Sequence, residues 1–219
     1  MTDGLFDLEG KVAVDSGAAS GMGRASCLAL AAHGATVVML DRDAAGMART
    51  GEAIAAGGGT AWAREHDVSS VAAAEALFAW IDAELGRVDF LANIAGEGVL
   101  GDPREITAEQ LRQVLENLVV GRFALCQEAG KRMLAAGSGS IVNTGSLAST
   151  TALGRGHVAY SMAMGAVVPQ SQVRKVAHLE GGIVSAILVR DGDLVLLMGA
   201  GSIDGVVEDL APQRLGAVD

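Results

Sequence analysis

VAVDSGAASGMGRASCLALAAHGATVVMLD, residues 12–41, is the stretch of this chain that decides its fold. It contains an apolar strand, a glycine-rich turn, a helical run, a second apolar strand and one terminal acid, in that order. Turn positions without side chains let the backbone approach a pyrophosphate, while amide N–H groups and the positive end of the following helix face the phosphate charge. The order therefore predicts a dinucleotide-binding unit.

Asp41, the acid that ends the second strand, favours NAD over NADP. Its carboxylate can accept hydrogen bonds from the adenosine ribose hydroxyls and would repel an additional 2′-phosphate. In a chain with 30 glycines, the alternative is that these glycines only permit close packing of a strand on a helix. The strand before them, the helix after them and the acid about 20 residues later favour the cofactor. The predicted contacts in this unit are Ser16, Gly17, Ser20, Gly21, Met22, Gly23, Asp41 and Arg42.

Composition limits the class of protein. The 219 residues are 50% hydrophobic and 19% charged, which predicts one compact domain over residues 1–219. A net charge of −10 argues against a nucleic-acid partner, and no run of Lys or Arg suggests a membrane surface. Cys27 and Cys126 lie within helical runs, which favours buried free thiols and a reducing compartment.

Other site types are not expected. The four histidines have no metal-ligand spacing, so we expect no metal. The acidic N-terminal segment is unlike a signal peptide, and no apolar run is long enough to span a bilayer. We therefore expect a cytoplasmic protein.

Strand-like apolar runs alternate with helical runs along the chain. This alternation predicts an α/β fold of three layers: a Rossmann-like, doubly wound parallel sheet with helices on both faces and the ligand crevice at the carboxyl ends of the strands. The predicted strands are 11–14, 36–40, 60–65, 88–93, 140–143, 183–189 and 194–198. The predicted helices are 22–33, 44–56, 71–85, 108–134 and 159–179.

Further motifs follow the glycine turn in a fixed order. They are Asp67-Val68 after the third strand, Asn93-Ile94-Ala95-Gly96 after the fourth, Asn117 in the long helix, Ser146 after the fifth strand, and Tyr160. With these motifs, residues 5–168 resemble the short-chain dehydrogenase/reductase family. The resemblance implies a seven-stranded sheet, homo-oligomers (dimers or tetramers), and hydride transfer between NAD and a small secondary alcohol or ketone. It also implies that Asp67 and Val68 contact the adenine and that Asn93, Ala95 and Gly96 support the nucleotide.

The resemblance assigns Asn117, Ser146 and Tyr160 to a catalytic group, and their chemistry fits hydride transfer. A proton must move on or off the carbinol oxygen, and a tyrosine hydroxyl can be the acid or base when its pKa is lowered. Tyr160 is the only tyrosine of the chain, and by resemblance it also contacts the cofactor. Ser146 would donate a hydrogen bond to the substrate oxygen, while Asn117 would hold a water or kink the long helix. Taken singly, they are equally consistent with a turn serine, a surface amide and a half-buried ring.

Met164 is the main departure from the family pattern. The family has a lysine there, one helical turn after the tyrosine, where it binds the nicotinamide ribose and lowers the tyrosine pKa. The chain's other lysines, Lys11, Lys131 and Lys175, lack the helical spacing to replace it. Alcohol oxidation should therefore be impaired, because a tyrosine with an ordinary pKa of about 10 is almost fully protonated at neutral pH.

Three smaller departures also carry expectations. Asp15 stands at the apolar end of the first strand, where a carboxylate is costly to bury and would face the pyrophosphate charge, which weakens cofactor binding. Pro169 predicts a break or kink in the helix that carries Tyr160. After Val168 the resemblance thins, which indicates a divergent or truncated part over residues 169–219.

Three interpretations remain open from the sequence. The first is an NAD-dependent oxidoreductase, which the motifs favour, with activity impaired because Met164 stands in place of the lysine. The second is a catalytically inactive NAD-binding or interaction protein, which Met164 also favours. The third is a chimeric or engineered chain, favoured by the change in character after Val168.

Overall fold

The computed structural model describes residues 6–151, 156–170, 178–179 and 182–188. Its strands are β1 (Val12–Ser16), β2 (Thr36–Asp41), β3 (Thr60–Glu65), β4 (Phe90–Asn93), β5 (Ser140–Thr144), β6 (His178–Leu179) and β7 (Gly182–Leu188). Its α-helices are α1 (Gly21–Ala32), α2 (Ala44–Ala56), α3 (Val71–Glu84), α4 (Ala108–Leu115), α5 (Gly121–Ala136) and α6 (Val158–Gln170). A π-helical segment (Glu116–Val120) joins α4 to α5, and a 3₁₀ turn (Leu147–Ser149) follows β5.

The strands form one sheet with the order β3-β2-β1-β4-β5-β7-β6. Strands β1 to β5 pair in parallel, which confirms the predicted α/β, Rossmann-like fold. Parallel neighbours require crossover connections, and the helices supply these crossovers on the two faces. The strand order reverses at β1, which lies between β2 and β4, so a crevice opens at the carboxyl ends of these strands.

The side chains of β1 alternate between two apolar cores, as expected for a strand that is buried on both faces. Val12 and Val14 face the core that β1 shares with α3 and α5. Ala13 faces the opposite core, beneath α1 and α2. Asp15 has the same parity as Ala13 and therefore points beneath α1. The large buried side chains that α3 and α5 contribute to the core beneath them are Phe78, Ile81, Leu125 and Met133.

The last two strands depart from the parallel arrangement. β7 covers most of the predicted sixth strand, but it pairs antiparallel with β5, and β6 pairs antiparallel with β7. The connection from Leu179 to Gly182 is too short for a parallel pair, which needs a crossover of about a dozen residues, so the chain direction reverses there. The predicted seventh strand, 194–198, lies outside the described residues.

The helix predicted over 159–179 is wrong at its C-terminal end, because Leu179 lies in β6. α6 extends through Pro169 to Gln170, the last residue described before position 178, and the break or kink that we expected at Pro169 stays a prediction. Nothing in the part of the chain that the structure describes combines the length and apolarity of a membrane-crossing helix.

The helix predicted over 108–134 is divided into α4, the π-helical segment and α5. α4 begins with a capping box in which Thr107 accepts the Gln110 N–H at 3.2 Å and the Gln110 side chain accepts the Thr107 N–H at 2.9 Å. The π-helical segment contains Asn117, and such segments are frequent at functional sites. α5 ends at Gly137, whose φ of +70° is a left-handed helix cap.

Both cysteines are free and buried, as the sequence predicts. Cys27 lies in the core beneath α1 and α2, and Cys126 lies in the core beneath α3 and α5. Burial, reinforced by the charge of the nearby Asp15, raises the pKa of the Cys27 thiol. Burial also raises the pKa of Cys126, to about 11. Each of these two apolar cores therefore encloses one protonated thiol.

Candidate functional site

A cleft of about 300 Å³ opens at the carboxyl ends of the central strands. It lies where the strand order reverses, which is the usual position of a ligand crevice in an open α/β sheet. Most of the predicted cofactor contacts share this cleft, together with Asn117. Its lining residues are Gly17, Ser20, Gly21, Met22, Gly23, Asp41, Arg42, His66, Val68, Ile94, Ala95, Gly96, Glu97 and Asn117.

The glycine turn between β1 and α1 forms the floor of the cleft. Gly17 has a φ of +85° and Gly21 a φ of +53°, values that glycine adopts without strain. A Cβ on Gly23 would overlap the carbonyl oxygen of Gly17, so the first turn of α1 can lie this close to the loop only with glycine. Ser20 is the N-cap of α1, but its side chain makes no capping hydrogen bond. The first N–H groups of α1 are thus not capped by Ser20, and this arrangement fits a diphosphate.

Asp41 forms the wall of the cleft at the end of β2. Its Oδ2 accepts the Ala19 N–H at 3.0 Å, and its Oδ1 accepts the Asp43 N–H at 3.0 Å. These two bonds fix the orientation of the carboxylate, while each oxygen keeps acceptor capacity for a further donor. The carboxylate can therefore bind a sugar diol, and it repels a second anion at the same place.

Arg42 and Glu97 form an ion pair between two walls of the cleft. Their Nη2 and Oε1 atoms are 2.9 Å apart, and both side chains are largely exposed. Exposed pairs of this kind contribute about 0–1 kcal/mol. A ligand can therefore separate Arg42 from Glu97 at little cost.

Ser16 and Asn93 were predicted to contact the cofactor but lie behind the cleft wall. Ser16 Oγ accepts the N–H groups of Ile94 and Ala95 at 3.0 and 3.1 Å, which joins the end of β1 to the loop after β4. Asn93 is fully buried and donates to Asn143 Oδ1 at 2.8 Å, which joins β4 to β5. Their observed contacts position the loops that line the cleft.

Asp67 and His66 follow β3 at the same edge. Asp67 accepts from the hydroxyl and the N–H of Ser69, and these hydrogen bonds lower the pKa of the Asp67 carboxyl. Val68 and His66 line the cleft, whereas Asp67 is not among the lining residues. Burial lowers the pKa of His66, and the negative charge of Asp67 partly opposes this shift. The Nε2 atom of His66 has no hydrogen-bond partner among the described residues. From the sequence, His66 was expected neither in a metal site nor in the cleft; its position just before Asp67-Val68 was the available signal.

The elements that carry the three predicted catalytic residues pack together, since α6 contacts both the 3₁₀ turn and the π-helical segment. Asn117 lines the cleft, and its Oδ1 accepts the Glu97 N–H at 2.9 Å. Ser146 Oγ accepts the Ala148 N–H at 3.2 Å, which leaves its O–H as a donor. Tyr160, in the first turn of α6, is partly buried. Ser146 and Tyr160 are not among the residues that line the cleft.

Met164 is only 2% exposed and belongs to an apolar cluster against which the Tyr160 ring also packs. The other large members of this cluster are Val114, Leu118 and Val167. No cation occupies this turn of α6, as the sequence indicates.

Arg122, on α5, is a buried cation that sequence analysis missed. It is 3% exposed, and its Nη1 donates to Thr144 O at 2.6 Å while its Nη2 donates to Ala95 O at 2.9 Å. Burial lowers the pKa of Arg122 to about 10, opposed by Tyr160 and Cys126, so the guanidinium is charged at neutral pH. The available signal was the helical spacing of buried residues: Arg122 lies four residues after Leu118 and three before Leu125, on the same buried face of the helix.

Asp15 is fully buried, and neither carboxyl oxygen has a hydrogen-bond partner among the described residues. Burial raises the pKa of Asp15 well above its usual value. The Ser26 hydroxyl is near enough to oppose this shift, although no hydrogen bond of normal geometry joins the two side chains. We predicted that the carboxylate would face the pyrophosphate; the structure instead directs it beneath α1, because side chains alternate along β1.

Within the described ranges, no group of three His, Cys, Asp or Glu side chains is arranged to hold a metal ion.

The family model described as short chain dehydrogenase matches residues 11–186, so the match continues past Val168. A D-threitol dehydrogenase from Mycolicibacterium smegmatis is 41% identical over 172 residues, which are 77% of this chain and 64% of that protein. An NAD-dependent glycerol dehydrogenase from Listeria innocua is 34% identical over 173 residues, 77% of this chain and 65% of that protein. The chain thus spans slightly less than two thirds of the length of these curated relatives.

Solved structures of similar proteins share the fold. NAD⁺-bound xylitol dehydrogenase has a TM-score of 0.71 and 27% identity, over 75% of this chain and 63% of that chain. A metagenomic short-chain oxidoreductase in complex with NADP has a TM-score of 0.72 and 30% identity, over 75% of this chain and 74% of that chain. Structures with either dinucleotide are therefore among those similar to this chain.

Proposed function

This chain belongs to the short-chain dehydrogenase family, and from that membership we propose that it binds NAD in the cleft and transfers hydride between the nicotinamide and a secondary alcohol or ketone. The observation that carries the proposal is the meeting of two features in one cleft. The first turn of α1, which Ser20 does not cap, provides N–H groups for a diphosphate, and Asp41 provides a carboxylate for the adjacent sugar.

The preference for NAD rests on Asp41. A 2′-phosphate would bring negative charge against a carboxylate whose orientation is fixed by the Ala19 and Asp43 N–H groups. Arg42 is next to Asp41 and could pair with such a phosphate, but it already pairs with Glu97. Asp41 is thus the residue that discriminates between the two dinucleotides, and Arg42 contributes secondarily.

The bound nicotinamide would supply or accept the hydride, and this chain's residues would manage the proton and the oxygen. Tyr160 acts as the acid or base toward the substrate oxygen. The Ser146 O–H, which its contact with Ala148 leaves unused, donates to the same oxygen as charge develops there. Asn117 holds the loop after β4 through the Glu97 N–H and lines the cleft beside it.

We propose a small polyol as the alcohol substrate. The similar proteins include a D-threitol dehydrogenase, an NAD-dependent glycerol dehydrogenase and a galactitol 2-dehydrogenase. Each of these names describes an alcohol with neighbouring hydroxyl groups, so D-threitol, glycerol and galactitol are the first substrates to assay.

The second candidate is an NAD-binding protein without catalytic activity, and Met164 is the observation that favours it. A buried methionine occupies the position of the family lysine, in an apolar cluster with Leu118 and Val167. Such a protein would keep the diphosphate and sugar contacts, which lie on other elements, and would lose only the chemical step.

Calorimetry with NADH and NADPH tests the binding proposal. NADH should bind at least tenfold more tightly, and Asp41→Ser should reduce this ratio, because the charge that repels the 2′-phosphate is removed. Asp7→Ser is the matched control, since Asp7 is an exposed acid near the N-terminus. Equal affinities of the wild-type protein for the two dinucleotides would contradict the role of Asp41.

Turnover distinguishes the two candidate functions. NAD-linked oxidation of the polyols should be measurable for the wild-type protein and faster for Met164→Lys, which adds the family's cation. If neither protein turns over while both bind NADH, the binding function is correct. If NADH does not bind to the wild-type protein, both candidates are wrong.

Assembly and location complete the proposal. The outer face of α5 exposes Phe123 and Leu134, which are 52% and 72% accessible, and this supports pairing of α5 with a second copy in a dimer or tetramer. The two free cysteines support a reducing compartment such as the cytoplasm. Light scattering of the full chain measures the first of these expectations.

A further inference from the structure

We propose that Glu97 is a second residue that selects NAD over NADP, because it binds Arg42, the cation that could otherwise bind a 2′-phosphate. Asp41, at the end of β2, repels such a phosphate directly. Glu97 lies in the loop after β4, on the opposite wall of the cleft, and it acts through another side chain. The inference rests on the proposed function, because it concerns the choice between two dinucleotides for the same cleft.

The first step concerns the charges of the cleft. Among the described residues that line it, Arg42 is the only lysine or arginine, and the acids are Asp41 and Glu97. His66 also lines the cleft, but burial lowers its pKa, so it is largely neutral at neutral pH. A phosphate monoester carries a charge of about −1.5 to −2 at this pH and is bound best by arginine or lysine. Arg42 is therefore the lining side chain that could compensate a 2′-phosphate.

The second step is that Arg42 pairs with Glu97 and not with its neighbour Asp41. Arg42 Nη2 donates to Glu97 Oε1 at 2.9 Å. The Asp41 carboxylate instead accepts the main-chain N–H groups of Ala19 and Asp43. Arginine binds a phosphate with the same N–H groups that it uses for a carboxylate. Arg42 must therefore give up its bond to Glu97 before that N–H group can bind a phosphate.

The third step is that main-chain contacts hold Glu97 on its wall of the cleft. Its N–H donates to Asn117 Oδ1 at 2.9 Å. Two residues earlier, Ser16 Oγ accepts the Ala95 N–H at 3.1 Å, and Arg122 Nη2 donates to Ala95 O at 2.9 Å. None of these bonds uses the Glu97 carboxylate. Glu97→Gln therefore removes the charge and keeps the contacts that position the loop.

The expected size of the effect follows from the exposure of the pair. The side chains of Arg42 and Glu97 are 56% and 80% exposed. An ion pair in such a setting changes an affinity by roughly fivefold at most, and added salt weakens it further. Glu97 thus adds to the discrimination by Asp41 and does not replace it.

The test is a double-mutant cycle on cofactor affinity, with the full-length protein. Calorimetry measures the dissociation constants of NADH and NADPH for the wild type, Glu97→Gln, Arg42→Gln and the double variant. The quantity compared is the ratio of the NADPH constant to the NADH constant. Glu109→Gln is the matched control, since Glu109 is an exposed acid that pairs with Arg112 on α4, outside the cleft. Each measurement is made at about 20 mM and about 500 mM salt, because screening should weaken the effect at the higher concentration.

At low salt, Glu97→Gln should lower the ratio roughly three- to fivefold, chiefly by tightening NADPH binding, because Arg42 is released. Arg42→Gln should raise the ratio, because the cation is lost. In the Arg42→Gln background, Glu97→Gln should change the ratio by less than about twofold, since no cation remains to be released. Glu109→Gln should leave the ratio within about twofold of the wild-type value, and at high salt the effect of Glu97→Gln should shrink.

Two results would overturn the proposal. The first is an unchanged ratio in Glu97→Gln, which includes an equal gain or loss of affinity for both dinucleotides. The second is an equal change on adding Glu97→Gln to the wild type and to Arg42→Gln, which would show that Glu97 acts without Arg42. A wild-type protein that binds neither dinucleotide would overturn the proposed function together with this inference. Binding of NADH with either of the first two results would contradict this inference alone.

Discussion

Replacing Asp15 with asparagine should make the stability of this protein less sensitive to pH. The folded protein encloses the Asp15 carboxyl without a hydrogen-bond partner among the described residues, and burial raises its pKa well above the usual value of 3.8. In the unfolded chain the same group ionises near the usual value. The folded state therefore binds the proton more tightly than the unfolded state does.

The sign and size of the effect follow from proton linkage. At pH values below 3.8 Asp15 is neutral in both states, and it contributes no pH dependence. As the pH rises, the unfolded chain releases this proton while the folded protein keeps it, so the free energy of unfolding falls by about 1.4 kcal/mol per pH unit. The loss stops where the pH passes the raised pKa of the folded state. Asp15→Asn has nearly the same shape and no such proton, so it should lack this loss.

Urea denaturation followed by the fluorescence of Trp62 and Trp80, repeated at unit intervals from pH 5 to pH 8, measures the difference. Asp15→Asn should gain on the wild type as the pH rises, by at most about 1.4 kcal/mol per pH unit, and Asp15→Val should gain similarly. Asp82→Asn is the control: the Arg132 hydrogen bond lowers the pKa of Asp82, so its contribution is already complete at pH 5 and the difference stays constant. Parallel curves for the wild type and Asp15→Asn would refute the reasoning.

Three other substitutions test the loop, the capping box and the apolar cluster. Gly23→Ala should weaken NADH binding, measured by calorimetry, tenfold or more, because its Cβ would overlap Gly17 O. The same overlap should lower the free energy of unfolding by about 1–3 kcal/mol. The control Gly130→Ala, at an open helix position, should instead stabilise the protein by about 0.5–1 kcal/mol. Thr107→Ala should cost about 1 kcal/mol in urea unfolding, whereas Ser20→Ala should cost little, since the Thr107 side chain caps its helix and the Ser20 side chain does not. Met164→Lys should lower the free energy of unfolding by about 1–3 kcal/mol, because the ammonium enters an apolar cluster, and Met164→Leu should lower it by less. A Met164→Lys protein as stable as the wild type would show that the lysine reaches water or a partner.

Much of the fold could be predicted because its signals are local. The predicted bounds of α2 and β3, 44–56 and 60–65, agree with the structure. Both segments have clear periodicity and are limited by glycine or polar residues that disfavour continuation. The glycine turn was predictable for the same reason, since positive φ values at Gly17 and Gly21 depend on the residue type itself.

Features that depend on distant partners were not predictable. The repeating pattern over 108–134 is compatible with one straight helix, and it does not reveal the extra residue per turn at the π-helical segment. The direction of β7 is set by its pairing with β5 and by the short connection from β6, whereas its apolar composition suits a parallel strand equally well.

The candidate site shows the same division. Gly17, Asp41 and Asn117 are in the cleft that the motifs predicted, because each follows or precedes a strand end that the topology brings there. Ser16 and Asn93 belong to the same motifs but lie behind the wall, a distinction that depends on which way each side chain turns. Arg122 was missed because its meaning arises only when the ends of β4 and β5 are adjacent.

The two enclosed cysteines allow local opening to be followed separately on the two faces of the sheet. Cys27 lies under the helices that form the glycine-turn side of the sheet, and Cys126 lies under the opposite pair. A small alkylating reagent reaches either sulfur only during an opening of the layer above it, because burial encloses each thiol and keeps it protonated in the closed state. The order in which the two sites acquire label, read by mass spectrometry of the fragments, would therefore record which half of the molecule loosens first.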